Sequence, residues 1–239
     1  MGGTELTLPI IIAAAAIDSI NPCVLGVLIF LIAFMTKIFK SRKKMLIFGM
    51  LYTSVVYITY LLLGFGILKI AIGTGFATSF YWIAALIAIF AGLLEIKDYF
   101  WYGRGPSLQI IPGGANRIKF WTAQLEKMEQ RHPIMLILTT VFIGVLAVMV
   151  ELPCTGAPYL AILGLLSKGA FASAVPLLLL YNLVFVIPMF VIIGIAFFGT
   201  SSEALESWRK EHRGVMRLGI GIFLLLLGFY MIYSLNPVF

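Results

Sequence analysis

Asp18-Ser19-Ile20-Asn21-Pro22-Cys23-Val24-Leu25-Gly26 lies in the middle of one long apolar stretch, and Glu151-Leu152-Pro153-Cys154-Thr155-Gly156-Ala157-Pro158 lies in the middle of another. Each sets a Pro-Cys pair a few residues after a carboxylate. Proline inside a helix removes one backbone hydrogen bond and clashes with the preceding turn, yet it suits the first position of a new helix. Both stretches are longer than a bilayer requires, so each has room for a break. The expectation is a half-helix starting at Pro22 and another at Pro153. Cys23 and Cys154 would then sit at positive helix ends, which favour a thiolate. The freed backbone groups need protein or water around them, not lipid. The two cysteines are therefore expected to face each other across a central cavity.

The surrounding chain supports a membrane setting. Of its 239 residues, 62% are hydrophobic and 11% charged, with a mean hydropathy of +1.07. A water-soluble domain carries about half its residues as apolar and about a quarter as charged. A water-soluble globule and a disordered chain are both excluded. Six stretches are long enough to cross a hydrocarbon core of about 30 Å at about 1.5 Å per residue. They are Leu8–Thr36, Met45–Lys69, Thr78–Ile96, Ile134–Leu166, Ala170–Gly199 and Val215–Ser234. With no water to satisfy the backbone they should be helices, and the alternating ten-residue pattern of a barrel is absent. The expected fold is an all-α membrane protein with six transmembrane helices, spans 1 and 4 being broken at Pro-Cys.

The basic residues suggest an orientation. Lys37, Lys40, Arg42, Lys43 and Lys44 follow span 1; Lys97, Arg104, Arg117, Lys119, Lys127 and Arg131 follow span 3; Arg209, Lys210, Arg213 and Arg217 follow span 5. These are 15 of the 17 Lys and Arg; Lys69 and Lys168 fall in the alternate loops. The positive-inside rule then puts three loops in the cytoplasm and both termini outside. The formal charge of +7 is thus a topology marker rather than a hint of nucleic acid. No Lys or Arg precedes Lys37, so the first span is expected to be a retained span and not a secretory signal. Trp82, Trp101, Trp121 and Trp208 fall near span ends or in basic loops, as amphipathic rings should. A surface helix carrying Ile118, Trp121, Leu125 and Met128 is expected in the long loop, and a short one from Thr200 carrying Leu205 and Trp208.

The two cysteines are 131 positions apart. The same offset lays span 2 on span 5 and span 3 on span 6. The chain therefore divides into one integral membrane domain, 1–239, holding repeat one at 8–97, a cytoplasmic linker at 98–133 and repeat two at 134–235. Three spans per copy is odd, so the copies are inverted, as in alternating-access carriers with a site at the repeat interface.

Asp18 and Glu151 are the acids deep in predicted spans, and intramembrane acids are functional candidates. Glu151 lies three residues before Cys154, on the same helical face, where it could accept or relay a thiol proton. Asp18 shares no face with Cys23 unless the break re-aims it. Both acids, like Asn21 and Asn182, are alternatively polar support for the broken backbone. Gly26, Gly156 and Pro158 are candidate hinges; Pro176 and Pro188 are simple kinks. His132 and His212 have no partners at metal-ligand spacing. No metal, phosphate loop, haem attachment or other cofactor is expected.

Asn21-Pro22-Cys23 and Pro153-Cys154-Thr155-Gly156-Ala157-Pro158 together resemble the signature of the CcdA proteins and of the transmembrane domain of DsbD. The six spans, the 3+3 repeat and a cysteine in spans 1 and 4 fit the CcdA type along essentially the whole chain. The first motif departs from many members in continuing Val24-Leu25-Gly26 without a second proline. The resemblance implies a thiol–disulfide electron shuttle of the cell membrane. Cys23 and Cys154 would be the catalytic pair, cycling between dithiol and disulfide. Electrons would come from cytoplasmic thioredoxin and pass to a thioredoxin-like protein outside, often for cytochrome c maturation. Such exchange needs a thiolate, a partner disulfide and access, with no cofactor. Two rivals remain: a secondary transporter of a metal cation or small solute using Asp18 and Glu151, and a scaffold with a structural disulfide.

Overall fold

A computed structural model describes residues 3–38, 42–101, 133–168, 171–198 and 202–235. Seven helices account for nearly all of them: α1 Gly3–Ser19, α2 Pro22–Ile38, α3 Arg42–Gly73, α4 Ala77–Phe100, α5 Pro133–Ser167, α6 Phe171–Phe197 and α7 Ser202–Leu235. Among the described residues, five helical segments are long and apolar enough to cross a membrane, and six are when the bent pair α1–α2 counts as one span. The outer face is what lipid requires. Leu62, Ile70, Phe90, Ile134 and Leu226 are all exposed, an arrangement far too apolar for water and suited to acyl chains. Threonine hydroxyls inside this apolar setting fold back on their own helix. Thr53, Thr59 and Thr140 each donate to the carbonyl four residues earlier, which satisfies those three donors.

The first apolar stretch is interrupted at Ile20–Asn21, and the helices on either side meet at a 47° bend. The local chemistry closes both ends. The Ile20 and Asn21 amides donate back to Ile17 and Asp18, and the Ser19 hydroxyl donates to Ala16. Asn21 caps α2: its Oδ1 accepts the Cys23 amide at 3.1 Å, and Pro22 occupies the first helical position, where its missing N–H costs nothing.

The expected counterpart break at Pro153 is not found. Helix α5 is assigned as one run from Pro133 to Ser167. The reason lies one residue upstream: where the first motif has Asn21, the second has Leu152, which has no side-chain acceptor to start a new helix. Gly156 and Pro158 accordingly lie within α5 rather than at a hinge. A Cβ on Gly156 would meet only Leu152, at 3.9 Å, so no close approach demands glycine there. A second expectation also changes. The segment with Leu205 and Trp208 is not a separate surface helix but the first turns of the 34-residue α7. Thr200 and the loop helix around Trp121 lie outside the described residues.

The bundle packs as a set of pairs. α4 lies most extensively along α7; α3 packs on α5 and on α6; α5 packs on α4, α1 on α6, and α2 on α7. The α4–α7 seam is unusually close. A Cβ on Gly92 would stand 2.8 Å from the Gly221 carbonyl oxygen, and one on Gly221 would stand 2.9 Å from that of Gly92. Small residues let helix backbones meet in this way where lipid supplies no hydrophobic drive. Between α3 and α4 the chain reverses at Gly75, whose φ of 70 suits a residue without a Cβ.

Candidate functional site

The break at Asn21 carries Cys23 to the start of α2, and the unbroken α5 carries Cys154 to its midpoint. Tertiary packing of α1 and α2 on α5 then brings the two together. Both are buried free thiols, and they lie within electrostatic range of each other. Asn21 ties the motifs directly, since its Nδ2 donates to the Cys154 carbonyl oxygen at 3.2 Å. One side chain therefore caps the helix that begins at Pro22 and holds the backbone of the opposing cysteine.

Asp18 and Glu151 both belong to this centre. Asp18 is buried and its Oδ2 accepts the Tyr181 hydroxyl at 2.9 Å, while its Oδ1 has no partner. Glu151 is fully buried and neither carboxyl oxygen has a hydrogen-bond partner. It stands within electrostatic range of Cys23 and Asp18. The polar support expected of Asn182 is local, since it donates to the Leu178 carbonyl.

A tyrosine cluster not expected from the sequence lies beside Cys154 and Asp18. The Tyr159 hydroxyl donates to the Tyr60 carbonyl oxygen at 2.6 Å, and the Tyr60 hydroxyl bonds that of Thr155, next to Cys154. Tyr60 also meets the rings of Tyr159 and Phe185 edge-on, at centroid distances of 5.5 and 5.1 Å. Gly64 makes room for Tyr159, because a Cβ there would run into its hydroxyl. Scattered tyrosines in apolar helices carry no spacing signal. Only the fold shows that Tyr60, Tyr159 and Tyr181 share one wall.

Gly26, a candidate hinge, lies against a cation. Arg209 of α7 donates from Nη1 to the Pro22 carbonyl oxygen at 3.0 Å, and a Cβ on Gly26 would lie 3.1 Å from the same nitrogen. Glu206 holds that guanidinium through two bonds, of 2.8 and 2.6 Å. Of the hinge candidates, Pro22 marks the observed interruption, and Pro153 and Pro158 lie in an unbroken helix.

The two intramembrane acids are also not alone. Glu95 and Asp98 of α4 are buried with Arg217 of α7, which reaches Asp98 at 2.6 Å and Glu95 at 3.4 Å. Lys97 adds a second cation on Asp98 at 2.6 Å. Arg217, counted from the sequence among loop charges, is thus an interior residue. The i, i+3 spacing of Glu95 and Asp98 on an apolar helix was the available signal. No group of three His, Cys, Asp or Glu suited to a metal ion occurs among the described residues; His212 instead stacks on Trp208. No family model, no curated protein and no solved structure matches this chain.

Proposed function

We propose that this protein is a transmembrane thiol–disulfide oxidoreductase that carries reducing equivalents between compartments on a reversible Cys23–Cys154 disulfide. The observation that carries this reading is the cross-braced thiol pair. Two free cysteines distant in sequence meet inside a membrane bundle, and Asn21 bridges one motif to the other. Exchange between them and a partner disulfide needs no cofactor. It proceeds through a mixed disulfide and returns both cysteines to either a dithiol or a disulfide. Cytoplasmic thioredoxin is the proposed donor and an extracytoplasmic thioredoxin-like protein the proposed acceptor, following the resemblance to CcdA; cytochrome c maturation is the pathway that resemblance suggests. The proposed setting is the plasma membrane, with both termini outside.

The packing pairs support the 3+3 repeat on which alternating access would rest. Exchanging α1–α2 with α5, α3 with α6 and α4 with α7 turns the α1–α6 contact into α5–α3, and the α2–α7 contact into α5–α4. The α3–α6 and α4–α7 contacts map onto themselves. Every major pair is reproduced by that exchange. The single interrupted span, α1–α2, makes the two halves unequal in detail.

The test is to trap mixed disulfides in cells with a thioredoxin lacking its resolving cysteine. Capture through Cys23 or Cys154, lost on substitution of that residue by Ser, is expected. Thiols whose redox state is the same with and without active thioredoxin would overturn the reading. Because Asp18 and Glu151 carry orphan oxygens, a solute transporter is the second reading. It requires uptake that survives Cys23→Ser and is lost on Glu151→Gln.

A further inference from the structure

The group that the exchange reaction leaves unexplained is Glu151. It is fully buried, three residues before Cys154 on the continuous α5, and both its carboxyl oxygens lack a hydrogen-bond donor. The groups around it are Asp18 of α1, Cys23 of α2, Tyr52 and Tyr60 of α3, and Cys154 of α5. Arg209 pairs with Glu206, and Arg217 with Glu95 and Asp98. A carboxylate ion buried without a cation or a donor is strongly disfavoured, and such a group keeps its proton. A purely structural role fits poorly, because a side chain placed to satisfy the broken backbone would show bonds to it, and Glu151 shows none.

We infer that Glu151 is a proton store for the cysteine pair, acting as the general acid that protonates the thiolate expelled from the Cys23–Cys154 disulfide. This rests on the proposed thiol–disulfide reading. A partner thiolate attacks one sulfur of the pair. A new S–S bond forms to that cysteine, the Cys23–Cys154 bond breaks, and the other cysteine leaves with the electron pair. In a membrane interior that thiolate has no water to stabilise it. Glu151 gives it a proton and becomes a carboxylate, which takes up the proton that the partner thiol released. A second partner thiolate then attacks the mixed disulfide, and the restored carboxyl protonates the second departing cysteine. Two electrons and two protons move from partner to pair, and the partner leaves as a disulfide. Glu151 ends as it began.

Glu151→Gln keeps the shape and the neutrality of the resting group but removes the transferable proton, and Glu151→Asp keeps the proton. The experiment follows reduction of the oxidised pair by dithiothreitol in the purified full-length protein, across pH, by gel-shift alkylation of the released thiols. General acid–base catalysis contributes about a hundredfold or more. A fall in rate of that order in Glu151→Gln, with a flattened pH profile and partial recovery in Glu151→Asp, is expected. A Glu151→Gln rate and pH profile equal to those of the unaltered protein would overturn the proton store while leaving the thiol reading standing. Failure of the unaltered protein to form or reduce the Cys23–Cys154 disulfide would overturn both.

Discussion

Asn21 and Cys154 are joined by a hydrogen bond of 3.2 Å from the asparagine Nδ2 to the cysteine carbonyl oxygen, although 133 residues separate them in sequence. The same asparagine caps the helix that presents Cys23. Asn21→Asp keeps the capping acceptor but loses the donor to Cys154, whereas Asn21→Leu loses both. An N-cap is worth about 1 kcal/mol, and a buried carbonyl left unpaired costs about 1–3 kcal/mol. Asn21→Leu should therefore lower the thermal midpoint in detergent more than Asn21→Asp. Both should slow formation of the Cys23–Cys154 disulfide by a mild oxidant. Unchanged rates in both variants would show that the brace does not position the thiols.

Leu152 stands where Asn21 stands in the first motif, and α5 continues as helix past it. Leu152→Asn supplies an acceptor for the Cys154 amide and should introduce into α5 a bend like the 47° one at α1–α2. Spin labels at Leu138 and Lys168 would report a shorter separation in that variant. An unaltered distance would mean that the missing cap is not what keeps α5 continuous.

Arg217 holds together Glu95 and Asp98 at the α4–α7 interface. Removing one partner of a buried ionic group costs about 3–5 kcal/mol, whereas replacing the whole group with neutral residues is often tolerated. Arg217→Met alone should therefore unfold the protein at markedly lower temperature. Combining it with Glu95→Gln and Asp98→Asn should recover much of the loss. A triple variant no better than the single one would count against this account.

Gly92 and Gly221 bring the α4 and α7 backbones into contact. Alanine at either position pushes a methyl group against a carbonyl oxygen of the facing helix, and overpacking of this kind costs about 1–3 kcal/mol. Gly92→Ala and Gly221→Ala should each lower the thermal midpoint. Gly66→Ala, where nothing lies within 4 Å, should not. Equal behaviour of all three variants would exclude a tight seam.

The hydropathy pattern predicts the spans because the bilayer reads only length and polarity. The six expected stretches correspond to α1–α2, α3, α4, α5, α6 and α7, with most ends shifted by a few residues and the start of α7 lying 13 residues before the expected Val215. Asn21-Pro22-Cys23 predicts its own interruption, since proline, a capping side chain and a helix start are local facts. The same reasoning failed at Pro153 because proline alone is not sufficient: without a cap, neighbouring helices can hold a proline-containing helix together. Arg217 was misplaced because a charge next to a basic run looks like a loop charge until its partners on another helix are seen.

What the sequence by itself determined is the medium and the chemistry on offer: apolar helices, two thiols and two deep carboxylates. Whether Cys23 meets Cys154 was settled only by the packing of α1 and α2 on α5. So too were the isolation of Glu151, the tyrosine wall beside Cys154 and Asp18, and the pairing of Glu95 and Asp98 with Arg217 and Lys97. Each of these depends on residues far apart in the chain. Helix pairing, unlike helix formation, is set by how whole faces fit one another, and no local spacing encodes it.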